Sequence, residues 1–142
     1  MDHVSVIVDD LPAAISFFTT LGMELLGEAA VEGDWADRLN GLDGLQVDIA
    51  MMRTPDGHSQ IELTKINHPA LVEVTPAIAP PNTLGLRQVM FLVDDLDDTV
   101  EQLRAAHGTP LLGEVVQYED QYRLCYLRGP AGIIVALSEE LS

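Results

Sequence analysis

The chain has 142 residues, enough for one sizeable core or two small modules that share one. Its 23 acidic against 7 basic residues leave a formal charge of −16, a field that repels phosphate backbones and anionic membranes and argues against nucleic-acid binding. Although 47% of the residues are apolar, no uninterrupted apolar run is long enough to span a bilayer.

His3–Leu11, HVSVIVDDL, is a β-branched, alternating run that ends in an Asp pair, and it predicts a strand leading into a helix. Leu11, Ile15 and Phe18 fall on one helical face, Asp10 stands where an N-cap is wanted, and Pro12 is tolerated in a first turn. Gly22 supplies the stop. Met23–Val31 then predicts a second strand, and Glu32–Gly44 a loop with a short helical piece that carries Trp35. Leu45–Arg53 predicts a third strand, Thr54–His58 a turn, and Ser59–Lys65 a fourth strand. The order is βαβββ.

Residues 67–85 hold Pro69, Pro76, Pro80 and Pro81 and predict a linker, extended in places. The opening pattern then returns as Gln88–Leu96, QVMFLVDDL, with Val4, Val8, Asp9, Asp10 and Leu11 matched by Val89, Val93, Asp94, Asp95 and Leu96. Leu96, Val100 and Leu103 repeat the helical spacing before Gly108, and strands are predicted over 110–117, 122–128 and 133–138, with the turn RGPAG before the last. Two copies are too few for a solenoid and define a duplicated module. The sequence therefore predicts an α+β protein with a first βαβββ module over 1–66, a Pro-rich linker over 67–85 and a second module over 86–142.

A helical crossover followed by hairpin-like connections implies a mixed sheet with its helix on one face. Period-two alternation puts Val4, Val6, Val8, Ile61, Leu63, Val89, Phe91, Val93, Ile133, Val135 and Leu137 under the helices. His3, Ser5, Ile7, Gln60, Glu62, Thr64, Gln88, Met90, Leu92, Ile134, Ala136 and Ser138 then point the other way. If the two sheets curl into a shared cup, its floor carries His3, Glu62, Gln88 and Ala136 at matching levels, with the apolar Ile7, Met90, Leu92 and Ile134 around them. An imidazole, a carboxylate and an amide oxygen converging there would suit a divalent ion.

Taken together, DHVSVIVDDLPAAISFF, TPDGHSQIELTK, LRQVMFLVDDLDDTVEQL and the closing RGPAGIIVAL resemble the vicinal oxygen chelate superfamily, the group of glyoxalases, bleomycin-resistance proteins and extradiol dioxygenases. The resemblance covers nearly the whole chain. It implies paired βαβββ modules whose mixed sheets form a cup, usually around one divalent metal (Zn, Ni, Mn or Fe) that acts as a Lewis acid on adjacent substrate oxygens. His3 matches the family's first-strand His and Glu62 its fourth-strand Glu. Gln88 stands where the second module most often has His, and Ala136 where the last ligand is usually Glu. Glu140 has the same parity as Ala136 but lies roughly 13 Å further along the strand. Loss of that carboxylate disfavours true lactoylglutathione lyase or extradiol dioxygenase activity. The resemblance also implies a homodimer.

Two functions compete. One is a metal-dependent lyase or isomerase in which His3, Glu62 and Gln88 hold the ion and Ser5, Ile7, Gln60, Thr64, Met90, Leu92, Tyr122, Tyr126, Ile134 and Ala136 line the substrate pocket. The other is a metal-free binding protein of the drug-sequestering kind; an interaction module without pocket chemistry is a third possibility. His3 is either a strand-edge residue or a ligand, Gln88 either a hydrogen-bonding pocket residue or a ligand, and Glu62 either a rim residue or a carboxylate needing a partner on an otherwise apolar strand. Tyr122 and Tyr126 are either one side of an amphipathic strand or a pocket wall, and Trp35 is either a lid residue or a dimer contact. His58 is expected to be solvated, His68 to belong to the linker and His107 to favour a helix C-terminus. Cys125, the single cysteine, is expected to be a structural thiol and, with no secretory leader apparent, predicts a cytoplasmic protein.

Overall fold

Both Asp pairs end their strands and start helices as their positions require. In the computed structural model, which describes residues Met1–Ser142, the Asp10 carboxylate accepts from the Ala13 N–H at 3.0 Å at the head of α1 (Leu11–Thr20). Asp95 does the same for the Asp98 N–H, also at 3.0 Å, at the head of α3 (Leu96–His107). Each cap satisfies a first-turn donor with no partner inside its own helix. At the far end of α1 the Gly22 N–H donates to Thr19 and the Met23 N–H to Phe18. That paired closure needs Gly22 at φ 109°, a backbone glycine adopts without strain.

The chain divides into two units, Met1–Val74 and Thr75–Ser142. The first holds β1 (Val4–Ile7), α1, β2 (Glu24–Glu32), α2 (Asp34–Asn40), β3 (Gln46–Arg53) and β4 (Gln60–His68). Its sheet order is β1-β4-β3-β2, with β1 parallel to β4 and the other pairs antiparallel. The second holds β5 (Gln88–Leu92), α3, β6 (Val116–Tyr118), β7 (Tyr122–Arg128) and β8 (Ile134–Glu140). Its order, β5-β8-β7-β6, repeats the first with the same parallel pair. The protein is thus α+β, with two βαβββ modules built on mixed sheets. No helix is long and apolar enough to cross a membrane.

Alternation sorts the first sheet cleanly. Val6, Val8, Ile61, Leu63, Ala50 and Met52 are buried with Phe17 and Phe18 of α1, whose rings meet edge to face at 5.2 Å. On the other face a smaller cluster of Ala36, Leu45 and Val47 packs with Val31, Ile49 and Ile66. This is the anchor of α2, the short helical piece. The Asp37 carboxylate fixes it by accepting from the Gly44 and Leu45 N–H groups at 2.9 and 2.8 Å. In the second unit Leu96, Val100 and Leu103 of α3 and Val135, Leu137, Leu127 and Cys125 of the sheet are buried. Arg123 ties α3 down through a two-pronged contact to Asp97 at 2.8 and 2.9 Å.

Three boundaries differ from expectation by more than one residue. The strand expected over 110–117 is only Val116–Tyr118, with an isolated bridge from Leu111 to Leu127 upstream. Pro110 lacks the N–H a ladder needs, and Gly113 adds no side chain to pack. The fourth strand runs on to His68, past the expected linker start, because Gln46 and Val47 of β3 pair with His68 and Ile66. His68 is accordingly a strand residue, with Nδ1 2.9 Å from the Gly44 carbonyl. The last strand extends to Glu140, held by the pairing of Tyr122 with Glu140.

Candidate functional site

The parallel pairing of β1 with β4 sets Ser5 beside Glu62 and Ile7 beside Thr64 on the face away from α1. His3, just before β1, reaches the same place. Its Nε2 lies 3.4 Å from Glu62 Oε2, and its Nδ1 lies 2.7 Å from the Asp2 carboxylate. The second Glu62 oxygen, Oε1, accepts from the hydroxyls of Ser5 at 3.3 Å and Thr64 at 3.0 Å. His3 and Glu62 are 29% and 21% exposed in their side chains, so the pair is reachable from solvent yet shielded on most sides.

The chemistry of this cluster follows from which atoms can donate. An ionised carboxylate only accepts, so the short contact to Asp2 requires a proton on His3 Nδ1. Neutral His3 therefore turns its Nε2 lone pair toward Glu62, acceptor against acceptor. Such a pair is favourable only with a positive charge between or beside its atoms, either a proton on Nε2 or a cation. Asp2 is the main cause that lifts the His3 imidazole above its ordinary pKa; burial works against it, and Glu62 adds to the rise.

The same atoms fit a divalent ion. Two ligand atoms each about 2.1 Å from a tetrahedral centre are about 3.4 Å apart, the separation found here. A carboxylate behind the far nitrogen of a ligating His is the usual way its tautomer is fixed. Within this unit the fit stops at two ligands, and no group of three or more His, Cys, Asp or Glu side chains is placed to hold an ion.

The repeat in register shows where the second module departs. Met90 pairs with Ala136 as Ser5 pairs with Glu62, and Gln88 occupies the place of His3. Across the sheet Tyr126 stands opposite Ala136, as Met51 stands opposite Glu62. The acid, the base and the hydroxyl of the first unit have thus become Ala136, Gln88 and Met90. Gln88, Met90 and Leu92 are exposed on β5, Tyr122 is half-buried and Tyr126 is 37% exposed.

Three of the expected pocket residues, Thr64, Ile134 and Ala136, are buried. Ile134 and Ala136 are buried, Ala136 at 0% exposure, so neither offers surface to a ligand. In the first unit Gln60 is half-buried and Thr64 is buried, holding Glu62, while Ile7 is 46% exposed.

Asp2 was missed in the sequence; its only signal is a carboxylate immediately before a histidine. Trp35 is 57% exposed on α2, and His58 is exposed beside Asp56. Cys125 is buried, which pushes its thiol pKa up, with Arg123 acting the other way.

The duplicated βαβββ architecture, with a His–Glu pair on the first sheet, defines a vicinal-oxygen-chelate type of protein. The chain belongs to the glyoxalase/bleomycin resistance protein/dioxygenase superfamily, whose family model matches residues 2–126. A glyoxalase family protein from Bacillus cereus is 51% identical over 100% of this chain and 94% of its own, with a TM-score of 0.94. A glyoxalase I mutant from Zea mays shares the fold at 17% identity and a TM-score of 0.70, over 100% of this chain and 45% of its own. A mutant of the fosfomycin resistance protein FosX from Listeria monocytogenes, complexed with Mn(II) and 1S,2S-dihydroxypropylphosphonic acid, shares it at 12% and 0.62, over 96% of this chain and 86% of its own. No curated protein matches the chain in sequence.

Proposed function

We propose that the protein is a divalent-metal-dependent enzyme of the lyase or isomerase type, acting on a small molecule with adjacent oxygens. The observation that carries this is the His3–Glu62 pair, an imidazole nitrogen and a carboxylate oxygen 3.4 Å apart, with the imidazole's other nitrogen 2.7 Å from Asp2. Glu62 Oε2 and His3 Nε2 would hold the ion, and Ser5 and Thr64 keep the carboxylate turned toward it. A bound divalent ion would supply Lewis acidity to the substrate's paired oxygens. The family resemblance supports a homodimer, and the single cysteine a reducing, cytoplasmic compartment.

A metal-free, drug-sequestering binding protein is the second reading. It is favoured by the buried Ala136 at the repeat position of Glu62, which leaves the second unit without a ligating carboxylate there. Elemental analysis after loading with Zn, Ni, Mn or Fe(II) separates the two. The enzyme reading expects one ion per chain, retained by the wild type and lost in the double variant His3→Ala/Glu62→Ala. Equal, background-level metal in both proteins would overturn it in favour of the second.

A further inference from the structure

We propose that the second unit holds a small oxyanion, a carboxylate or a phosphonate, between Arg128 and Gln88 on the face of its sheet turned away from α3. The site lies wholly within that unit and is independent of any metal held by His3 and Glu62.

Strand register brings the two residues together. Gln88 of β5 and Arg128 of β7 both pair with Ile134 of β8, so they flank it in one row and point to the same face. Two strand spacings separate their backbones by roughly 10 Å. A guanidinium on one side and an amide on the other can close that gap around one small anion. Gln88 is exposed and Arg128 half-buried, while Ile134 between them is only 1% exposed. Charge beside that apolar residue is screened less than in open water.

Arg128 is what selects an anion. Arg38, Arg53 and Arg123 form ion pairs at 2.9, 3.3 and 2.8 Å, and Arg128 forms none. A half-buried cation without a counter-charge is costly. Its Nη1 donates to the Gly132 carbonyl at 3.0 Å, which fixes the guanidinium and leaves Nε and Nη2 free. No Arg128 nitrogen is both buried and unpartnered, so these two donors reach solvent. Side by side, they form the fork that grips two oxygens of one carboxylate or phosphonate. Arg87, next to Gln88 in the chain, is a second half-buried arginine without an ion pair. Its Nη2 donates to the Leu84 carbonyl at 2.9 Å and its Nε is buried with no partner. The surrounding sequence is free of acid. Residues 75–93 and 121–138, which supply β5, β7 and most of β8, contain no Asp or Glu in a chain that has 23 acidic residues. A local positive field is thereby kept inside a strongly acidic molecule, and it favours an anion here over the rest of the surface.

The test titrates benzoate, methylphosphonate and neutral benzamide into metal-free protein and follows the backbone amides of Gln88, Gly132 and Ile134 by nitrogen-15 NMR. The buffer holds about 0.15 M salt, where attraction between exposed charges fades beyond about 8 Å. Saturable shifts at these amides are expected with one or both anions and not with benzamide, and the anion that binds more tightly assigns the site to carboxylate or phosphonate. Arg128→Gln is expected to weaken binding at least tenfold. Arg128→Lys, which keeps the charge and loses the fork, should weaken it at least threefold, and Gln88→Ala at least twofold. Arg104→Gln, which removes an exposed cation from α3, should change it less than twofold. No saturable shift with either anion, equal binding of benzamide, or equal effects of Arg128→Gln and Arg104→Gln would overturn the site. With no metal in the sample, that outcome is separate from the result of the elemental analysis.

Discussion

Neighbouring residues on β4 should respond to truncation in opposite ways, because alternation sends Leu63 under α1 and Glu62 to the candidate site. Leu63 is 0% exposed and pairs with Val6 and Ala50. Leu63→Ala removes buried methyl groups and opens a cavity, at a cost of about 3 kcal/mol within the usual 2–5. For a chain of this size that lowers the thermal midpoint by about 10 °C. Glu62→Ala removes hydrogen bonds from Ser5 and Thr64 and a partly exposed contact to His3; about 1 kcal/mol or less is expected. Urea unfolding followed by circular dichroism measures both, with an unchanged slope showing that the unfolded state is unaltered. Equal destabilisation by the two variants, or a larger loss from Glu62→Ala, would refute the face assignment on which the site depends.

The two helix caps should act independently. Asp10→Ala and Asp95→Ala each remove one first-turn acceptor and should cost about 1 kcal/mol apiece, adding in the double variant as separated sites do. His3 gives a pH dependence of defined sign. Its folded pKa is raised, mainly by Asp2, so its contribution to stability is full below the ordinary histidine value and lost as pH rises through the raised one. A divalent ion replaces that proton, so zinc affinity should increase across the same interval while binding releases protons, as paired titrations in buffers of different ionisation enthalpy would show. Cys125, buried and with its thiol pushed up, should resist a disulfide reagent in the native protein and react promptly in denaturant. Fast native reaction would mean that β7 is open to solvent.

Much of this architecture was legible because it is written in short-range chemistry. The Asp-terminated strands announced α1 and α3, and alternation placed Leu63 and Glu62 on opposite faces. The duplicated opening announced two modules. What the residues concealed depends on partners distant in sequence. His68 looked like linker because Pro69 follows it, yet pairing with β3 keeps it in a strand. Ile134 and Ala136 have the parity of an open floor, yet both are buried. Period two reports which way a side chain points, not how much its neighbours cover it. Asp2 was invisible for a related reason, since a hydrogen bond between adjacent side chains leaves no periodic trace.

His3 should carry its neutral-state proton on Nδ1 and turn an unprotonated Nε2 toward Glu62. Nitrogen-15 NMR of the imidazole, recorded above the His3 pKa before and after zinc addition, tests it most directly. The expected spectrum shows the Nδ1–H tautomer in the metal-free protein, then a shift of the Nε2 resonance on zinc binding, both altered in Asp2→Asn and the shift abolished in Glu62→Ala. An Nε2–H tautomer whose resonances ignore zinc would contradict the claim.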